Sequence, residues 1–410
     1  MSDRIRFRPG VTVPFALTAV LAGSRLAAVP ELSDPLGSLS PSLHLVAPWP
    51  YLLAAPLFTL WDGVSMLSMS RLYGFLAGLA MLYLVWRVAR ALRRRSLGVV
   101  RELSVLILSL AALFLFIAVG ALWHRPMLAL AGAGPGVAVA DFHSHTNLSH
   151  DVEGTWMRGY DAESNLRWHR RAGFDAVFIT DHNTAQPVRQ RPGLPLWCPG
   201  TEVSAWRAHV VLLGSSAPVD RRLYNRGLES LLQLLRTSES AYGALSVASL
   251  PEYRRNHWDR LDTLASEGLD GFEVVSAAPK ANELTRPERD SVIALARRLD
   301  RFVVGVSDHH GWGATSMVWN LVRARGAKEG VSRGCGAVLD RLRSGFDAVR
   351  IVERHRLRAD AWWPMWLTPV GVVWETWRSM GWPATVSWVV WVWVVWVMVG
   401  LSGRRRKSAE

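Results

Sequence analysis

The sequence predicts an α/β domain, shaped as a barrel and flanked by membrane-spanning helices. Three observations predict it. Short β-branched runs alternate with amphipathic stretches between residues 136 and 354. Long uncharged apolar runs stand on both sides of that region, and basic clusters close several of them. Half of the 410 residues are hydrophobic, and the excess sits at the two ends rather than in the middle.

Within residues 136–354 the apolar runs are Val137–Phe142, Ala176–Thr180, Val210–Leu213, Leu245–Leu250, Phe272–Val275, Phe302–Val306 and Ala348–Val352. Helix-like patterns such as Leu228–Leu235 and Val292–Leu299 lie between most of them. Strand–helix alternation implies a largely parallel sheet with helices outside it. Seven runs suit a barrel better than a minimal open sheet.

Residues 1–129 read as a membrane region. Leu103–Trp123 is free of charge and long enough to span a bilayer as a helix. Leu72–Val88 is a second span, and Val11–Val29, interrupted by Arg25, a weaker third that reads as an uncleaved anchor rather than a signal peptide. Residues 45–62 are apolar but carry Pro48, Pro50, Pro56 and Asp62, so a broken, re-entrant or interfacial segment and a full span both stay open. Residues 361–410 hold a Trp-rich stretch at 362–382, suited to the membrane interface, and a span at Thr385–Leu401 with a basic tail.

Basic clusters occur at Arg4–Arg8, Arg90–Arg101 and Arg404–Lys407. Placing all three in the cytoplasm puts residues 130–360 outside it, provided residues 45–62 do not span. The expectation is an integral membrane protein with an extracytoplasmic domain. The net charge of +13 fits topology signals and Arg-rich coding, and no nucleic-acid recognition motif accompanies it. Cys198 and Cys335 are the two cysteines, with no CxxC pair, which excludes a thiolate zinc site and a disulfide framework. One bond between them stays open, as does the oligomeric state.

Chemistry concentrates at strand ends. The first run ends in Asp141-Phe-His143-Ser-His145. Residues i and i+2 of a strand share a face, so two imidazoles address one spot. The second run ends in Thr180-Asp181-His182-Asn183, a third region reads Gly200-Thr201-Glu202, and His209 opens a further run. The late run Val303–Ser307 leads into Asp308-His309-His310-Gly311. Independent core histidines do not coincide so often with strand ends, and imidazole with carboxylate suits Zn, Mn or Fe.

These residues resemble the PHP (polymerase and histidinol phosphatase) superfamily. Its opening HxHTxxS motif reads His143-Ser-His145-Thr-Asn-Leu-Ser149-His150-Asp151, its TDHN motif stands at Thr180–Asn183, and its SDxHG motif at Ser307–Gly311. The resemblance covers roughly residues 136–354. It implies a distorted (β/α)7 barrel holding two or three divalent ions. By motif position the ligands are His143, His145, Asp151, His182, Glu202, His209, Asp308 and His310, with Glu202 bridging and Asp151 preferred to His150. One departure stands out: Leu250-Pro251 replaces the family's His-Pro and removes a ligand from the ion shared by Glu202 and His209. His257 reads as a surface residue rather than a substitute.

The resemblance implies a phosphoesterase acting through a metal-activated water. Asp181 is expected to steady a ligand imidazole or a water, and His150 and His309 to serve the leaving group. Arg254, Arg255 and Lys280 follow strand ends and suit a phosphate. The expected substrate is a phosphorylated small molecule or a lipid-linked phosphate. A metal-dependent hydrolase of another bond, or a binding domain weakened at Leu250, are the alternatives.

Overall fold

The computed structural model of the protein describes residues 10–94, 99–313, 315–323 and 331–408. The Arg4–Arg8 cluster and Arg95 of the second cluster lie outside them. Twelve strands occur among the described residues: β1 Leu32–Ser33, β2 His44–Val46, β3 Ala129–Ala131, β4 Val137–Ser144, β5 Ala176–Ile179, β6 Leu196–Ala205, β7 Ala208–Leu213, β8 Leu245–Ala248, β9 Gly271–Ser276, β10 Phe302–Val306, β11 Val318–Arg323 and β12 Val349–Arg354. Ten form one sheet in the order β1-β12-β11-β4-β5-β6-β7-β8-β9-β10, and β2 pairs with β3.

The sheet is mixed rather than largely parallel. β4–β5–β6 and β8–β9–β10 run parallel. β7 pairs antiparallel with both β6 and β8, and β11 with both β4 and β12. The β6–β7 hairpin explains the departure: Trp206 and Arg207 make a two-residue turn, with Arg207 at φ 51°, where a long crossover was expected. The sequence pattern hid β6 because Cys198, Pro199 and Gly200 interrupt its alternation, and β11 because Asn320 does.

The sheet curls into a half-barrel. β4 and β10 meet where Asp308 N donates to His143 O and His145 N to His309 O, each at 2.9 Å. Below them the buried Asn320 amide on β11 accepts from Gly305 N at 2.9 Å and donates to Ala140 O at 3.0 Å. A polar group this deep is retained only when it is hydrogen-bonded. Amphipathic helices cover the outside, among them Leu228–Tyr242 and Arg286–Arg298. The latter begins with a capping box between Thr285 and Glu288. Cys198 on β6 and Cys335 on the helix Val331–Leu342 form a disulfide.

Three helices among the described residues are long and apolar enough to cross a membrane: Met69–Arg93, Val100–Leu122 and Trp382–Ser402. The expected first span is shorter. Its helix, Thr12–Ser24, has 13 residues, about 20 Å against a hydrocarbon core of roughly 30 Å. It lies along the third long helix, with Phe15 edge-on to Trp393 at 4.9 Å. Residues 45–62 do not form a span. They continue β2 into two short helices, Trp49–Leu53 and Ala55–Ser65. Asp62 there is buried and paired with Arg125 and with Arg354 at 3.2 Å, and it accepts from Tyr51 and Thr315 at 2.8 Å. A carboxylate so committed is a docking point between the N-terminal helical region and the sheet.

Candidate metal centre

Strand β4 is buried along almost its whole length, because helices and neighbouring segments cover both its faces. It delivers His143, and His145 follows on the same side, with their Nε2 atoms 2.9 Å apart. Asp308 joins them from beyond β10, its Oδ1 3.2 Å from His145 Nε2 and 3.6 Å from His143 Nε2. Its backbone is left-handed at φ 44°, a conformation costly for most residues but tolerated by Asp. Beneath this junction buried Asp141 accepts from Ser307 N at 3.0 Å and is 2.9 Å from His169 Nε2. It fixes the start of the Asp308 loop to β4.

Glu202 is the centre of the arrangement. One oxygen lies 3.2 to 3.3 Å from His143 Nε2, His145 Nε2 and His182 Nδ1, and the other 3.1 Å from His209 Nδ1. The hairpin register puts Glu202 opposite Val211 and His209 opposite Ser204. Glu202 and His209 are therefore diagonal neighbours on one sheet face, within reach of long side chains. At the outer edge Asp151 Oδ2 lies 2.8 Å from His310 Nε2 and 3.3 Å from His182 Nε2. All eight residues expected as ligands thus converge. Four overlapping trios among them and His150 have donor atoms close enough to share an ion. The donor chemistry fits divalent ions of the Zn, Mn or Fe type.

Electrostatics agree with that fit. Burial opposes charge on His143, but Glu202, Glu273 and Asp308 outweigh it and raise its pKa well above normal. Burial likewise opposes protonation of His209 and His310, yet Glu202 beside the first and Asp308 beside the second raise both to about 9. His145 goes the other way, to about 4, because burial and the charge of His310 dominate. Glu202 and Asp308 are buried, yet neighbouring imidazoles hold both below the usual carboxylate range. Protons on imidazoles balance the carboxylates here, and a divalent cation would displace them.

Several expectations need correction. Asp181 touches no ligand imidazole; it accepts from Thr146 N at 2.6 Å, Thr146 Oγ1 at 2.7 Å and Gln186 Nε2, and so ties the HxHT turn to the TDHN turn. His309 faces away from the cluster and stacks on Trp168 at 3.8 Å. His257 is a buried residue, not a surface one, its Nε2 3.1 Å from Trp206 O. Arg254 is paired with Glu288 at 2.9 Å, while Arg255 and Lys280 are exposed. His150 is exposed at the rim, its ring 4.7 Å from that of His182.

Three functional candidates escaped the sequence reading. Glu273 on β9 lies 2.6 Å from His143 Nδ1 and accepts from Leu250 N at 2.8 Å. Burial lifts its pKa to about 7, against the pull of His143. A glutamate inside the apolar run Phe-Glu-Val-Val was the available signal, because a buried carboxyl implies a partner. Glu252 Oε2 lies 3.9 Å from His209 Nδ1, while Leu250 packs into the core. The Glu202–His209 pair, deprived of a histidine, has a second carboxylate within reach. Arg221 is close enough to His150 for its charge to help depress that pKa, after burial and His182. Only folding brings it to the rim.

No protein-family profile matches the chain, and no curated protein sequence does. Among solved structures the chain is similar to a presumed metal-dependent phosphoesterase from Bifidobacterium adolescentis, at 18% identity and TM-score 0.32, over 42% of this chain and 87% of that one. It is also similar to PsfC from Pseudomonas syringae, at 18% identity and TM-score 0.34, over 58% of this chain and 96% of that one. A third is an amidohydrolase from Chromobacterium violaceum, at 14% identity and TM-score 0.25, over 42% and 87%.

Proposed function

We propose that the protein is a membrane-anchored, metal-dependent phosphoesterase whose curled sheet is a distorted (β/α)7 barrel of the PHP type. The observation that carries this reading is Glu202, one carboxylate within 3.3 Å of four imidazoles, which together would hold divalent ions. Ions held there would supply a nucleophilic water near neutral pH and a clamp on phosphoryl oxygens. The chain's own residues do the rest. Glu273 fixes the imidazole of His143 through Nδ1, leaving Nε2 for the cluster. His150, neutral at pH 7 because its pKa is lowered, accepts a proton at the rim. Arg221 offers a positive charge to an incoming phosphate.

The anchor and the side of the membrane belong to the same reading. Arg90, Arg93 and Arg101 stand at the ends of their helices remote from the domain, which supports an extracytoplasmic hydrolase domain. The Cys198–Cys335 bond supports it too, because disulfides persist in oxidising compartments. The test uses purified full-length protein loaded with Mn, Zn or Fe. Phosphomonoesters, phosphodiesters, carboxyl esters and amides are offered in parallel. Phosphate-ester cleavage lost in Glu202→Gln and His143→Ala is the expected result. Turnover confined to carboxyl esters or amides would overturn it.

A further inference from the structure

The loop that carries Asp308 and His310 is fastened to the end of a membrane helix. Gly313 N donates to Ala121 O at 2.6 Å, and His124 Nε2 lies 2.7 Å from Gly311 O. The next helix start is fastened as well: Met69 N donates to Pro279 O at 2.9 Å, and Ser70 Oγ to Glu283 at 2.8 Å. Between these two attachments lies a cavity of about 360 Å³, within the usual size of a ligand pocket.

Its lining is of two kinds. Asp308 and His310 of the cluster line it together with His309 and Trp168. Apolar side chains line it as well, Phe116 and Ile117 of the helix Val99–Leu122 and Leu72 of the helix Met69–Arg94. Phe116, Ile117, Gly120 and Ala121 share one helix face, and all four line the cavity. Gly120 lets this face approach Trp61, since a Cβ there would lie 2.6 Å from the indole. Ile117 is 38% exposed, next to the exposed Phe114 and Leu115. The cavity wall is thus continuous with the apolar outer surface of a helix fit to span a bilayer. Trp312, which also lines the cavity, is 41% exposed, as suits an indole at a membrane interface.

We infer that this cavity takes the hydrocarbon chain of a membrane lipid whose phosphate ester reaches the metal cluster. The inference rests on the phosphoesterase reading for the headgroup, and on the cavity alone for the chain. A soluble, fully polar phosphate ester has no use for an apolar lining beside the cluster. A chain entering from the side, between Ile117 and Leu72, buries its methylenes while the head stays at Asp308 and His310.

Two measurements on the full chain in lipid nanodiscs test it. In the first, hexadecyl phosphate bearing a terminal diazirine is photolysed with the protein, and labelled residues are mapped. Label on Phe116, Ile117 or Met317, competed by hexadecyl but not by butyl phosphate and lost in Ile117→Trp, is expected. Label confined to the outer faces of the spans, or unchanged in Ile117→Trp, would overturn the inference. In the second, hydrolysis of hexadecyl and butyl phosphodiesters is compared. Ile117→Trp is expected to lower kcat/KM for the long chain about tenfold, the worth of roughly two buried methylenes, and to leave the short chain unchanged. Equal turnover of both chain lengths by the wild type overturns the chain site while leaving the phosphoesterase reading intact. Cavity labelling without cleavage of either ester does the reverse.

Discussion

At the scale of single residues, the cluster works by making carboxylates and imidazoles compete for protons that a cation can replace. His209 and His310 keep their protons to about pH 9. A metal must displace those protons, so its affinity should rise from pH 6.5 to pH 8.5 and proton release should accompany binding. Chelator competition at three pH values, with calorimetry in buffers of different ionisation enthalpy, measures both; a flat profile would contradict the proton balance described above. Glu273 acts through His143. Glu273→Gln should weaken metal binding roughly ten- to a hundredfold, as loss of such partners does elsewhere. Because the glutamate carboxyl titrates near 7, the change should be greatest above that pH. Glu252 reaches the Glu202–His209 pair where Leu250 cannot. Glu252→Ala should lower the bound metal per chain, as read by elemental analysis, while Arg221→Ala leaves that ratio unchanged and raises KM for phosphate esters several-fold. Equal metal content in Glu252→Ala and wild type would remove Glu252 from the site.

At the scale of elements, the N-terminal helical region and the sheet are joined by a buried charge network rather than by apolar contact alone. Asp62 from a short helix meets Arg125, which follows the helix Val99–Leu122, and Arg354 at the end of β12. Arg125 is fully buried, so removing its carboxylate leaves an uncompensated charge. Asp62→Asn should destabilise the fold by about 3–5 kcal/mol, visible as a lowered Tm of the detergent-solubilised protein. A Tm within a degree or so of wild type would mean that Arg125 finds another partner. The same network explains why a proline-rich, apolar stretch near residue 50 did not become a span. Asp62 has four partners in the folded chain and would have none in lipid, where a lone carboxylate is costly.

For the whole molecule, the ends of two long apolar helices at Met69 and Leu122 meet the domain beside the loop that carries Asp308 and His310. One cavity is lined both by residues of these helices and by Asp308 and His310 of the cluster. The disulfide offers a check on the side of the membrane. Cys198 and Cys335 are buried and bonded. In intact cells, a bulky maleimide should modify neither cysteine unless a reductant is supplied and the protein unfolded. Cys335→Ser should lower stability by about 2–5 kcal/mol. Free thiols in protein trapped from growing cells would place the domain in a reducing compartment instead.

The sequence by itself determined the local chemistry. Long apolar runs named the three helices long and apolar enough to cross a membrane within a few residues. The strand-end positions of His143, His145, His182, Glu202, His209, Asp308 and His310, with Asp151, named the cluster. Both signals are short-range: uncharged length for a span, and residue type at a strand's end for a ligand. What only the tertiary structure decided depends on partners distant in sequence. It paired Glu273 with His143 across 130 residues and turned His309 onto Trp168. It bound Asp181 to a turn, brought Glu252 to His209, and folded residues 49–65 against the sheet through Asp62. A side chain's role is set by the groups it is buried among, and those are chosen when the sheet curls, not when the strand forms.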